Sequence, residues 1–240
     1  NQRFLANTLS WGRKILDIYT NPFIVELCEA YSQSEVHLSN YRIYQTLPSK
    51  NFKMWWHVDN KTDVFDYEKE IFIPEIISAD KGLIIIMYLV DVKEGGVQLV
   101  KGSHKWSRKH EGKESFDDLE VNFGEDIVTF NNKPKGTLIA YDYATIHRAE
   151  PYQGGNTRMS LFGQYSPSWM PTGEPIILHS RDLAGLTEKQ MQVLSFGRNS
   201  TTENWPIAQP VEALQKHDID NILNSIPKRK LIKQLLRKTK

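Results

Sequence analysis

The chain is nearly devoid of cysteine. Its single Cys28 excludes an intrachain disulfide, so stability must come from buried apolar surface and hydrogen bonding. Within Ile24-Val25-Glu26-Leu27-Cys28 it reads as a small buried hydrophobe rather than a reactive thiol. A reducing, cytoplasmic setting is the expectation. Long apolar runs are missing too. The stretch Gly82-Leu83-Ile84-Ile85-Ile86-Met87-Tyr88-Leu89-Val90 is too short to cross a bilayer as a helix and reads as a buried strand. No signal-peptide pattern, internal repeat or low-complexity tract is visible. An excess of charge is lacking as well: 30 basic side chains against 29 acidic ones give a net +1, and no global field argues for a nucleic-acid partner.

What is present suits one domain of 240 residues with a sizeable core. Three zones divide it. Residues 1–40 read as a helical cover: Leu5, Leu9, Leu16 and Tyr19 recur at roughly helical spacing, and Asn21-Pro22 opens a second helix with proline in its first turn. Residues 41–170 are strand-rich, with candidate strands at 41–45, 52–58, 70–74, 82–92, 97–100, 127–130, 136–141, 145–149 and 157–165. Inside this zone, 102–125 is charged and turn-rich and reads as a loop. Residues 171–240 return to helix and loop. There Thr187-Glu188-Lys189-Gln190 gives a capping-box signature for a helix over 188–196.

The last thirteen residues, 228–240, carry seven positive charges and no acidic side chain. Without them the remainder holds 23 basic residues against 29 acidic ones, a net −6. Leu231, Ile232, Leu235 and Leu236 fall on one helical face. A weak contact with an anionic surface is one reading of this tail; a short solvated helix is the plainer one.

Chemistry concentrates in Met54-Trp55-Trp56-His57-Val58-Asp59. His57 and Asp59 are two apart, so on a strand both point to one face. Far downstream, His147 lies in another strand-like segment, and Arg158 follows it after the turn signal Gln153-Gly154-Gly155-Asn156. Two imidazoles and one carboxylate can cap one face of an octahedral metal and leave three positions open, the arrangement of non-haem Fe(II) oxygenases. The plain alternative for His57 is a half-buried strand histidine. A reversal at Gly154-Gly155 returns Arg158 and Ser160 toward His147, and a guanidinium beside a metal suits a dicarboxylate.

With His57-Val58-Asp59, His147 and Arg158 in this order, the chain resembles the phytanoyl-CoA dioxygenase-like branch of the Fe(II)/2-oxoglutarate oxygenases. The stretch from Met87 through Glu94-Gly95-Gly96 to Val100-Lys101-Gly102-Ser103-His104 adds to the match, with Lys101 where the family usually has proline. The resemblance covers roughly residues 41 to 170. It implies a mainly β fold: a double-stranded β-helix (jelly-roll, cupin-like) core with flanking N- and C-terminal helices. It also implies Fe(II), 2-oxoglutarate and O2, with hydroxylation of a small-molecule substrate and release of succinate and CO2. The expected metal ligands are His57, Asp59 and His147. Arg158 would pair with the distal carboxylate of 2-oxoglutarate, with Ser160 and Gln45 as further contacts. Trp55 and Gln98 are candidates for the substrate pocket, against core packing for the tryptophan and a surface role for the glutamine. Related halogenases lack the carboxylate ligand, so Asp59 favours hydroxylation. A cupin-like, non-oxidative metal or ligand-binding protein on the same fold stays open.

Overall fold

A computed structural model describes residues 2–49, 54, 56–59, 65–66, 71–72, 81–105, 124–152, 157–168, 170 and 176–196. Trp55, most of the 102–125 loop, the Gly154-Gly155 turn and the basic 228–240 tail lie outside these residues. In chain order the elements are β1 (Gln2–Leu5), α1 (Arg13–Tyr19), α2 (Pro22–Ser32), β2 (Val36–Thr46), β3 (Phe65–Asp66), β4 (Ile71–Phe72), β5 (Leu83–Tyr88), β6 (Val97–Val100), β7 (Ile127–Thr129), β8 (Leu138–Asp142), β9 (His147–Ala149), β10 (Arg158–Pro167), α3 (Ser180–Leu183) and α4 (Glu188–Val193). The described chain is mainly β, its strands paired antiparallel, with few helices.

Two sheets position everything that follows. The larger has the order β1-β2-β10-β5-β8 and the smaller the order β7-β6-β9. An antiparallel bridge between His57 and His147 continues the smaller sheet beyond β9. The longest pairing joins β2 to β10, from Arg158 opposite Thr46 to Pro167 opposite Val36, with an irregularity between Gln164 and Tyr165. Such long, two-sided pairing fixes register, because a slip of one residue would turn every side chain to the wrong face.

Alternation along these strands sorts the side chains into two cores. Odd positions of β2 (Tyr41, Ile43) join Leu161 and Tyr165 of β10 and pack beneath Leu16, Tyr19, Val25 and Cys28 of the helices, with Val193 of α4. On the opposite face, Ile84, Ile86 and Tyr88 of β5, Tyr141 of β8 and Phe162 of β10 meet Val97 and Leu99 of β6 between the sheets. Each fully buried aliphatic side chain here is worth about 1.5–3 kcal/mol relative to exposure. A third, smaller cluster (Trp56, Val58, Val100 and Ile146) includes residues of β6 and of the segment next to His57. Gly163 permits close helix–sheet approach: a Cβ there would lie 3.2 Å from the Tyr19 ring.

Two local expectations from sequence meet different fates. Residues 2–5 form β1 rather than the start of a helix, pairing with the far end of β2 from Gln2 opposite Thr46 to Leu5 opposite Ile43. That pairing satisfies a backbone edge that a helix would leave bare, and Arg42 lies 5.2 Å over the Phe4 ring. The two helix starts are as expected. Asn21 caps α2 by accepting from Phe23 N, with Pro22 at its first position, and Thr187 and Gln190 form the reciprocal capping box of α4. Among the described residues no helix is long and apolar enough to cross a membrane.

Candidate metal centre

The turn between β8 and β9 delivers His147. Asp142 Oδ1 accepts from Ala144 N at 2.7 Å, and Thr145 N donates to Asp142 O at 2.8 Å, an Asx-type reversal. Ser103 Oγ then accepts from Ile146 N and donates to Val100 O, both at 2.8 Å, tying the start of β9 to β6. His57 arrives by backbone pairing with His147: His57 N donates to His147 O at 3.0 Å and His147 N to His57 O at 2.9 Å. The two rings come to lie 4.4 Å apart.

Asp59 sits between these imidazoles. Its Oδ1 is 3.6 Å from His57 Nε2 and its Oδ2 is 3.5 Å from His147 Nε2. The three ligating atoms all fall within 4.8 Å of one another. His147 Nδ1 is 2.9 Å from the Thr145 carbonyl. As an N–H donor there, it leaves Nε2 facing Asp59, where it holds a proton toward the carboxylate or, once deprotonated, presents its lone pair to a metal. Burial works to raise the Asp59 carboxyl, but the His147 hydrogen bond and the charges of His147, His57 and Arg42 outweigh it and hold the group below its ordinary value. Ligand atoms about 2.0–2.2 Å from a metal are about 3 Å apart in cis positions, so the trio must draw closer to hold an ion. The donor set, two neutral imidazoles and one ionised carboxylate, fits a divalent first-row metal.

Arg158 approaches the same cavity from the other sheet. It is 5% exposed. Because it pairs opposite Thr46, its Nη2 donates to Thr46 Oγ1 at 3.0 Å. Its Nη1 is buried with no hydrogen-bond partner among the described residues. Burial lowers its pKa, while the nearby Tyr88, Tyr152 and Glu150 act the other way; arginine stays charged in either case. A buried cation with an unused N–H costs several kcal/mol unless an anion is supplied. The cavity between Arg158 and the triad measures about 70 Å³, several times what one water occupies. Ser160, Tyr44 and Tyr141 are among its polar lining residues, and Ile86, Val97 and Phe162 among its apolar ones.

The other sequence candidates fall elsewhere. Gln45 lies on the odd-numbered face of β2, turned from the cavity, and its neighbour Thr46 is the residue that meets Arg158. Gln98 is not among the cavity's lining residues. Its Oε1 accepts from Arg148 Nε at 2.7 Å and its Nε2 donates to Thr129 Oγ1 at 3.0 Å, and the Arg148 guanidinium stacks 4.3 Å over Trp56. Trp55 lies outside the described residues. Thr46, Tyr44 and Tyr141 escaped the sequence reading. The available signal was strand parity: Tyr44 and Thr46 share one face of β2, and Arg158 selects that face.

No protein-family model matches the chain, and no curated protein matches it by sequence. Solved structures do resemble it. HygX from Streptomyces hygroscopicus, determined with nickel and 2-oxoglutarate bound, superposes with a TM-score of 0.55 at 12% identity, over 71% of this chain and 72% of that one. SnoN, a non-heme alpha-ketoglutarate-dependent epimerase from nogalamycin biosynthesis, gives 0.50 at 19% identity, over 72% and 66%. SnoK, a non-heme alpha-ketoglutarate-dependent carbocyclase from the same biosynthesis, gives 0.50 at 15% identity, over 70% and 64%. The chain spans just under two thirds of the length of SnoN and of SnoK. At these identities the likeness is one of fold.

Proposed function

We propose that this chain is an Fe(II)- and 2-oxoglutarate-dependent oxygenase of the phytanoyl-CoA dioxygenase-like type, acting on an unactivated C–H bond of a small molecule. One observation carries the reading: a His57–Asp59–His147 trio and a buried guanidinium with an unused N–H share one cavity. The strand order supports a double-stranded β-helix. Successive segments from β2 through His57 to β10 divide between two sheets ordered β2-β10-β5-β8 and His57-β9-β6-β7. The fold likeness to HygX, a nickel and 2-oxoglutarate complex, agrees.

In this reading His57, Asp59 and His147 hold the metal on one face. When bound, Fe(II) with 2-oxoglutarate and O2 supplies an oxidative decarboxylation that yields succinate and CO2 and drives attack on a C–H bond. Arg158 pairs with the distal carboxylate, held at the right height by Thr46, and Ser160 lies beside it on the inward face of β10. Ile86, Val97 and Phe162 give the cavity apolar lining that helps to exclude water. Hydroxylation is the outcome we assign, with a small-molecule substrate, in a single domain over 1–240 and in the cytoplasm as the lone Cys28 suggests.

The test is succinate formation from 2-oxoglutarate with Fe(II), ascorbate and O2. Slow uncoupled turnover that requires both iron and Arg158 is expected. Stoichiometric metal binding with no 2-oxoglutarate binding would instead favour a cupin-like, non-oxidative metal protein.

A further inference from the structure

Among the described residues, the buried tyrosines use their hydroxyls, with one exception that lines the metal cavity. Tyr88 Oη accepts from Val97 N at 3.0 Å and donates to Phe130 O at 3.2 Å. Tyr165 Oη donates to Tyr19 O at 2.6 Å. Tyr19 Oη lies 3.0 and 3.1 Å from the Phe162 and Arg42 carbonyls, which share its one proton. Tyr141 is 6% exposed and packs in the core between the sheets. Its hydroxyl nonetheless has no hydrogen-bond partner among the described residues. The ring is buried, but its oxygen is not one of the fully enclosed unpartnered polar atoms: Tyr141 lines the metal cavity, and its hydroxyl opens into that space.

We propose that the Tyr141 hydroxyl is a ligand-binding group, donating a hydrogen bond to the metal-proximal, 2-oxo acid end of the diacid whose distal carboxylate pairs with Arg158. The inference rests on the function proposed above. Position argues for the metal-proximal end. The Tyr141 ring lies against the His147 imidazole, centroids 5.0 Å apart at 54°. The Asp59 carboxylate is among the charges that act on its phenol. The far end of the cavity already has its own polar groups in Thr46 and Ser160. Chemistry argues for donation: a carboxylate and a keto oxygen accept only, and the phenol O–H is a donor with no acceptor bonded to it among the described residues. Strand parity argues for design rather than accident, since Ile139 and Tyr141 both face inward from β8. An apolar residue such as Ile139 would fill the space without presenting a hydroxyl to the cavity.

The experiment is Tyr141→Phe, which keeps the ring contact with His147 and removes only the unpartnered oxygen. Anaerobic titration of the Fe(II) protein with 2-oxoglutarate, followed by the metal-to-ligand charge-transfer band, should give an affinity roughly tenfold or more weaker than wild type, as for one lost hydrogen bond to a charged group. The band should move to shorter wavelength, because the hydrogen bond no longer lowers the acceptor orbital. Fe(II) affinity should be unchanged. As a second measurement, the melting temperature without ligand should hold or rise in the variant, and the added stabilisation by Ni(II) with 2-oxoglutarate should be smaller than in wild type. Equal 2-oxoglutarate affinity and equal band position in the two proteins would overturn the assignment of Tyr141 while leaving the function intact. Absence of any band in the wild-type protein would overturn the function itself, and this inference with it.

Discussion

His57 and His147 are joined by their backbones before any metal joins their side chains: each N–H donates to the other's carbonyl, at 3.0 and 2.9 Å. The bridge makes the two histidines directly opposed residues of neighbouring strands, so their rings project to the same side, 4.4 Å apart. Asp59, two residues on from His57, projects to that side as well. The trio is therefore set by sheet pairing, and a metal would find its ligands already converged.

His57→Ala should abolish stoichiometric binding of Fe(II) or Ni(II), because two of three ligands from a facial set hold such ions weakly. The fold should persist, since His57 is partly open and lies outside the main clusters. Metal content after desalting checks this, and wild-type stoichiometry in the variant would contradict the assignment.

Arg158→Ala should weaken 2-oxoglutarate binding by roughly 2–5 kcal/mol if it is the buried partner of the distal carboxylate. Thr46→Val removes the 3.0 Å hydrogen bond that holds the guanidinium and should cost about 1 kcal/mol of the same affinity. Anaerobic titration would measure both. Fe(II) affinity should change little, which separates these variants from His57→Ala.

Tyr165→Phe should destabilise the protein by about 1–3 kcal/mol. It deletes a buried 2.6 Å hydrogen bond to the Tyr19 carbonyl. Urea unfolding would register the loss as a lower midpoint at constant slope.

Burial, reinforced by the nearby Glu29 charge, pushes the Cys28 thiol up from 9.0 to about 12. Thiol reagents should leave it untouched at neutral pH until denaturant is added. The folded state keeps the proton that the unfolded chain releases near pH 9. This contribution to stability is therefore fully present below pH 9 and is lost as pH climbs toward 12. Cys28→Ala should flatten the fall in stability across that window, measured by unfolding at a series of pH values.

How far the site was legible depended on whether a residue could be read from its own strand. His57 and Asp59 declare a shared face by spacing alone, and His147 and Arg158 flank a turn signal. Gln45 was a candidate by distance from His57 along the chain, yet the opposite face of β2 meets Arg158, and Thr46 holds it. Gln98 offered a polar side chain on an apolar strand. Its actual partners, Arg148 and Thr129, come from the two strands that flank β6, and only sheet order reveals them. Tyr141 has the signature of an ordinary core residue until its hydroxyl is found without a partner.

The sequence by itself determined the strand periods, the caps at Asn21 and Thr187, and the chemistry of the His57, Asp59, His147 and Arg158 side chains, because these are local properties of residue type and spacing. Tertiary structure alone decided that residues 2–5 extend the sheet, that His57 pairs with His147 across ninety positions of chain, and that Thr46 rather than Gln45 meets the guanidinium. Those outcomes depend on which strands become neighbours and in what register. Antiparallel pairing makes that choice cooperatively over whole strands, since one residue of slip would expose an entire core face.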